Sequence, residues 1–418
     1  MARITTAALA VAASALITVV AKADTTDVRW QTNALISKTG AHCADDPNCF
    51  NRYHPAIPMA ARANPGDYIT FETRDAVDGD LTLDSVHADV TAVDLNLVHP
   101  MTGPVNINGA KRGDVLAIHM VDIAPDEFGY TLIVPGFGFL RDLYTEPYFV
   151  GWRLSREGAR SDRMPGVFVP MAAFTGSIGV LPGEPEVAAW LARETALGEA
   201  GGIALPPQPT GAQPASVCGP EGSHKDSCLR TIPPRENGGN MDVQQMQMGT
   251  TLLLPCFVDG CGLFIGDVHF AQGDGEVSGT AIEMGATVTV RTEIIPGKGA
   301  DIKGPHFEGG AQLKTIAPTE FYATVGFPLK AKGVVPPFIA YLDGERIANL
   351  ENLNEDLTLA ARSALIDMID YLQREHGLTR EQAYILSSVA VDLVVGQVVD
   401  LPNYAVSAIV DLSVFENR

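Results

Sequence analysis

A chain of 418 residues, 46% of them apolar, has ample material for one large or two ordinary packed domains, which argues against a disordered protein. A formal net charge of −21 repels phosphate backbones and anionic lipid, so nucleic acid and membrane surfaces are disfavoured as partners, while a neutral or cationic small molecule meets no such barrier. Charged residues make up only 19%, against 41 glycines and 28 prolines, a balance that favours strands and structured turns over long helices.

Met1 to Ala23 carries Arg3, an apolar run from Ala7 to Ala21, and the small-x-small pattern Ala21-Lys22-Ala23. These features predict a secretory signal peptide over residues 1–23, cleaved near Asp24, and a periplasmic or secreted mature protein. The rival reading, an uncleaved anchor, has a run that is short for a span and an acid directly behind it. Export makes the six cysteines candidates for local disulfides: Cys43 with Cys49, Cys218 with Cys228, and Cys256 with Cys261. The first two pairs lie in turn-rich sequence. Cys256 and Cys261 border apolar strands, where buried free thiols fit nearly as well. A zinc ribbon is not the reading these pairs favour.

Residues 24–64 read as irregular, with His54 in Asn51-Arg-Tyr-His-Pro55 taken as a surface loop histidine held extended by the proline. From there to residue 182 the pattern is that of strands: Tyr68 to Thr73, Leu95 to Pro100 and Asp114 to Asp122. Val134 to Phe139 and Phe174 to Pro182 read as close-packed turns. Neither is a nucleotide loop, and Gly176-Ser-Ile-Gly179 lacks the spacing of a serine-nucleophile elbow. Residues 183–230 form an insertion or linker, with a helix from Glu186 to Gly198 followed by a Pro- and Gly-rich stretch. Residues 231–418 then bring a polar cluster, Arg235 to Asp242, and a second one, Asp267 to Glu276, flanking the apolar run Thr251 to Phe264. Strand patterning continues from Thr280 to Val325. Two helices follow: one with Leu357, Ala361, Leu365, Met368 and Leu372 on one face and Gly377 beyond its end, and one opened by a Thr379/Gln382 capping box and running to about Val394. Asp392 and Asp400 place acids in apolar surroundings.

The densest chemistry is Phe264-Ile-Gly-Asp-Val-His-Phe-Ala-Gln-Gly-Asp-Gly-Glu276. On a strand Asp267 and His269 share a face, where a carboxylate and an imidazole can share a proton or a metal ion. Asp274-Gly275 reads as a two-residue hairpin turn that brings Glu276 back to the same edge.

These segments together resemble the acetamidase/formamidase family. The matching stretches are His99 to Pro104, Val134 to Gly138, Gly176 to Val180, Ile232 to Asp242, Gly266 to Glu276, and Val391-Asp-Leu with Val399-Asp-Leu-Pro-Asn403. The resemblance implies a β-rich α+β fold with sandwich or jelly-roll elements and a C-terminal helical part. It also implies a homo-oligomer and hydrolysis of a short linear amide to ammonia and a carboxylate. Three features depart from the family pattern: the Cys218 to Cys228 insertion, Val268 within Gly-Asp-x-His, and export.

Amide hydrolysis needs a nucleophile, a stabiliser for the oxyanion and an acid for the amine. The expected assignment gives Asp242, Asp267 and His269 to a divalent metal, zinc by preference, with His99 as a further ligand or a substrate contact. Glu276 is the proton shuttle, with Asp274 and Glu236 as further catalytic acids, and Asn240 and Gln272 hold the substrate amide. The alternatives are a cysteine nucleophile at Cys256 or Cys261, and an exported protein that binds an amide or an ion without turnover.

Overall fold

Strands dominate the chain and helices gather near its C-terminus, as the residue pattern predicts. The computed structural model describes residues 33–199, 204–309, 320–328, 333, 356–398 and 404–416. Residues 1–23, over which a signal peptide is predicted, and the stretch 399–403, including Asp400, lie outside the described residues.

The principal strands are β1 (Arg52–Tyr53), β2 (Tyr68–Thr73), β3 (Met101–Ile107), β4 (Val115–Ile133), β5 (Tyr148–Leu154), β6 (Phe174–Val180), β7 (Leu229–Arg230), β8 (Gly238–Asn240), β9 (Thr250–Pro255), β10 (Cys261–His269) and β11 (Glu283–Ile295). All but β1 and β7 belong to one hydrogen-bonded network, whose central order is β5-β4-β11-β10-β6-β8. Strand β11 pairs with β4 along its whole length; its other edge takes β10 at its start and then β2. Ile69, Phe71, Ile118, Ile123, Val288 and Val290 from these strands are all buried in the main core, where each large side chain contributes about 1.5–3 kcal/mol by leaving water. The short pair β1–β7 stands apart from this network, with Arg52 opposite Arg230.

A three-stranded sheet of β12 (Phe321–Gly326), β14 (Ala405–Asp411) and β13 (Val391–Gln397), with β14 in the middle, packs on helix α2 (Leu357–His376). Asp356 caps α2 by accepting from the Thr358 and Leu359 amides, and Gly377 ends it at φ 66°. The buried stripe starts at Ala360 and Ala364 and then takes in Leu365, Met368 and Leu372. Helix α3 (Arg380–Ala390) opens with the expected capping box but stops four residues before Val394. At Val391 the chain becomes strand β13, because its apolar run pairs with β14.

Three local expectations are corrected. Phe174 to Val180 is the central strand β6, whose glycines give no turn but allow close packing. A Cβ on Gly179 would stand 2.6 Å from the Phe264 ring. Leu95 to Pro100 forms no strand. His54 is fully buried, stacked on His224 at 4.1 Å.

All six cysteines are paired as Cys43–Cys49, Cys218–Cys228 and Cys256–Cys261. That removes a free thiolate at Cys256 or Cys261 and with it the cysteine-nucleophile alternative.

Candidate active site

Helix α1 (Glu184–Glu199) buries Val187 and Trp190, and its outer turns hold the segment that leads into the site. Arg235 donates through Nε and Nη2 to Glu194 at 2.6 and 2.9 Å, and Arg193 donates to Glu236 at 2.7 and 3.1 Å. The Asn237 amide donates to the Val180 carbonyl at 2.7 Å. Gly238 and Gly239 then run beside β6 at φ 87° and 88°, and a Cβ on Gly238 would stand 2.5 Å from the Ile178 oxygen. This close approach delivers Asn240 opposite Ser177 and puts Asp242 beside Gly176.

Strand β10 reaches the same place from the other side of β6. The shared face expected for Asp267 and His269 is present: Asp267 Oδ1 lies 3.6 Å from His269 Nε2. Room for the imidazole comes from Gly176, where a Cβ would stand 2.5 Å from Nε2.

Three carboxylates surround that nitrogen. Glu283 Oε2 is 3.3 Å away, Asp267 Oδ1 3.6 Å and Asp242 Oδ1 4.0 Å. Among the described residues, no donor hydrogen-bonds to any of these three buried oxygens. Unpartnered anionic oxygens are costly in a buried site, and their convergence with an imidazole fits a divalent cation by the chemistry of the donors. Asp242, Asp267 and His269 offer ligand atoms within 4.8 Å of one another, and so do His269, Glu276 and Glu283.

Second contacts fix this cluster. His269 Nδ1 donates to Gln272 Oε1 at 2.9 Å, while Gln272 Nε2 donates to the Asp242 carbonyl at 2.8 Å. Nε2 is therefore the nitrogen turned to the carboxylates. The Ser177 hydroxyl stands 2.9 Å from Asn240 Oδ1 and 3.2 Å from Asp267 Oδ2. His99 Nε2 faces Asp267 Oδ2 at 3.8 Å. Asp242, Asp267 and Glu276 all take positive φ (50°, 51° and 41°), and only Asp78 and Cys261 join them among the described non-glycine residues. Backbone strain is thus concentrated at this cluster.

The electrostatics follow from burial among like charges. Burial, with the charges of Asp267 and Glu283 adding to it, pushes Asp242 up to about 8. Burial, then the charge of Asp267, pushes Glu283 up to about 7. Burial and then Asp242 hold Glu276 well above the carboxylate range. Burial also opposes ionisation of Asp267, yet the neighbouring His99 and His269 outweigh it and hold its carboxyl below the usual value. His269 is raised because Glu283 and Asp267 overcome the effect of burial, whereas burial wins at His99 and lowers it.

Other sequence assignments land differently. Gln272 spends both ends of its amide on His269 and Asp242, so it orients the site and is not free to hold substrate. Glu236 is tied to Arg193, whose hydrogen bonds lower its pKa, and it serves the docking of α1. Asp274 is raised by burial and by the charge of Asp392; its backbone amide donates to Asp392 Oδ1 at 2.9 Å, outside the ligand groups around His269. The Asp274-Gly275 turn exists, with the Glu276 amide donating to the Gly273 carbonyl. It sits within a loop that runs from Phe270 to Ile282 rather than forming a two-residue hairpin.

Glu283 is the residue that sequence reasoning missed. It lies opposite His269 across the β10–β11 ladder, and its signal was an acid set in the apolar run Ala281-Ile-Glu-Met284. Tyr53 was also missed. Its hydroxyl is buried, without a partner among the described residues, where a Cβ on Gly239 would stand 2.9 Å from it.

The acetamidase/formamidase family model matches residues 36–417. The acetamidase of Mycolicibacterium smegmatis is 32% identical over 80% of this chain and 84% of its own length. The formamidase of Methylophilus methylotrophus is 30% identical over 89% of this chain and 90% of its own length. The solved gamma lactamase from Delftia acidovorans is 31% identical, with a TM-score of 0.82 over 92% of this chain and 93% of that one. On the family match and these relatives, the chain belongs to the acetamidase/formamidase family.

Proposed function

We propose that this protein hydrolyses short carboxamides, of the formamide and acetamide type, to ammonia and a carboxylate with the help of a divalent ion. The observation that carries the reading is the convergence of three unpartnered carboxylate oxygens on His269 Nε2, beside a raised Glu276. Asp242, Asp267 and His269 would hold the ion, zinc by preference, and Glu283 would add a third oxygen as the fourth ligand atom. When bound, such an ion lowers the pKa of a water to about 7 and polarises a carbonyl.

The chain's own groups supply the rest. Glu276 takes the proton of the attacking water as the water oxygen bonds to the amide carbon, then returns it to nitrogen as the C–N bond breaks and ammonia leaves. The Asn240 side chain, set by Ser177, contacts the substrate amide, and His99 lines the same face. The three disulfides support export to an oxidising compartment. A homo-oligomer is the expected assembly.

The test is ammonia release from formamide, acetamide and propionamide by the mature chain, before and after chelation, with metal content measured on the same sample. Turnover that vanishes on chelation and returns with zinc supports the reading. Undiminished turnover in metal-free protein removes the ion from it, and a folded, metal-loaded protein inert on all three amides removes the linear-amide substrate. The likeness to the Delftia protein favours γ-lactams as the next substrates to try. Opening a lactam leaves the amine on the product, so the readout there is the amino acid and not ammonia.

A further inference from the structure

Residues 95–98, directly before His99, belong to no strand, and their carbonyls are taken one after another by buried side chains. Leu95 O accepts from Arg230 Nη2 at 2.6 Å, Asn96 O from Arg52 Nη2 at 3.0 Å, Leu97 O from Asn51 Nδ2 at 3.3 Å and Val98 O from the Thr231 hydroxyl at 3.0 Å. The His99 amide completes the series by donating to Thr231 Oγ1 at 2.7 Å. Asn51, Arg52, Arg230 and Thr231 are all 7% exposed or less. They come from the two sides of the β1–β7 pair, where Arg52 stands opposite Arg230.

The choice of residues points beyond stability. Among the described residues neither guanidinium makes an ion pair, although buried cations are normally paired. Burial lowers both pKa values against the opposing charge of Asp94, and with Arg230 beside it Arg52 falls to about 9. Two unpaired arginines side by side are a costly way to brace a loop that has nothing to place. Their forks instead hold two of the four successive carbonyls, those of Leu95 and Asn96, while Asn51 and Thr231 hold the next two, and the chain so held ends at the imidazole facing Asp267.

We infer that Asn51, Arg52, Arg230 and Thr231 form a cradle of positioning residues that sets His99 against Asp267. The consequence for turnover rests on the amide-hydrolase reading above. The placement of the imidazole does not.

The experiment uses Thr231→Val, which keeps the shape and removes the hydroxyl's hydrogen bonds with Val98 and His99, with Thr231→Ser as the conservative control. The readouts are kcat and KM for ammonia release, Tm, and the imidazole signals of His99 in histidine-labelled protein, assigned by their loss in His99→Gln. Thr231→Val is expected to shift the His99 signals and lower kcat about tenfold or more with KM within about twofold, and Thr231→Ser to restore both. In the His99→Gln background Thr231→Val should change kcat by less than about twofold, because residues acting through one group are not additive. Unmoved His99 signals, or effects that multiply in the two backgrounds, overturn the inference. If Thr231→Val does not fold, Arg52→Lys, which keeps the charge but loses the fork, is read in the same way. If the wild-type protein turns over no amide, the functional reading fails by itself, and the imidazole signals still decide the cradle.

Discussion

Glu283, Asp267 and Asp242 each aim an unpartnered oxygen at His269, and this is the strongest chemical demand that single residues make in the molecule. Glu283→Gln keeps the shape and removes one negative charge. It should weaken divalent-ion binding about 10- to 100-fold, measured by competition with a chromogenic chelator. Unchanged affinity would place Glu283 outside the ion's surroundings. Glu236→Gln is the contrasting case: its surface pair with Arg193 is worth about 0–1 kcal/mol, so turnover and Tm should stay close to wild type. A large loss of turnover in a folded Glu236→Gln protein would return that residue to the catalytic set.

At the scale of elements, the site depends on strands β6, β8 and β10 lying closer than side chains would permit, with the glycines of β6 and β8 making the space. Gly176→Ala puts a methyl 2.5 Å from His269 Nε2. The strand or the ring must shift, at about 1–3 kcal/mol of stability. Ion binding should fall with it, as metal analysis and thermal unfolding of the purified variant would report. Retained stoichiometric metal would mean that the imidazole has another place to stand. The Cys218–Cys228 link closes a short loop beside the segment 208–211, whose carbonyls at Gln208 and Thr210 accept from Arg52. Replacing both cysteines by serine should cost about 2–4 kcal/mol in chemical denaturation. A smaller change would mean that hydrogen bonding alone keeps that segment in place.

For the whole molecule, the buried carboxyls set the pH dependence of stability once divalent ions are removed. Asp242 at about 8 and Glu283 at about 7 lie above the value of about 4 for a carboxyl in an unfolded chain. Both bind protons more tightly when folded, so their contribution is fully present below about pH 4 and drains as pH rises through 7 and 8. His269, raised above 6.5, acts in the same direction. Asp267 is held below its ordinary value, so its contribution is present at neutral pH and is lost only in acid. Chelated protein should therefore show Tm falling from about pH 5 to 8.5, with a divalent ion removing much of the slope. A flat or rising profile would contradict the shared-proton picture of the cluster.

Local physics explains what the sequence by itself determined. Period-two patterning marked β2 and the first half of β4, the apolar stripe and capping box marked α2 and α3, and the cysteine spacings marked two disulfides. The lettering of Asp267 to Glu276 and Arg235 to Asp242 marked the two polar segments that meet at His269. Tertiary structure alone decided the rest, because those facts depend on register and close approach between distant strands. Glu283 matters only because β10 and β11 pair it with His269. Gly176 matters because of the ring packed over it, and Leu95 to Val98 is no strand because its carbonyls find Arg52, Asn51, Arg230 and Thr231 instead of a neighbouring ladder. Residue type states which partners a group needs; only the fold decides whether they are within 3 Å.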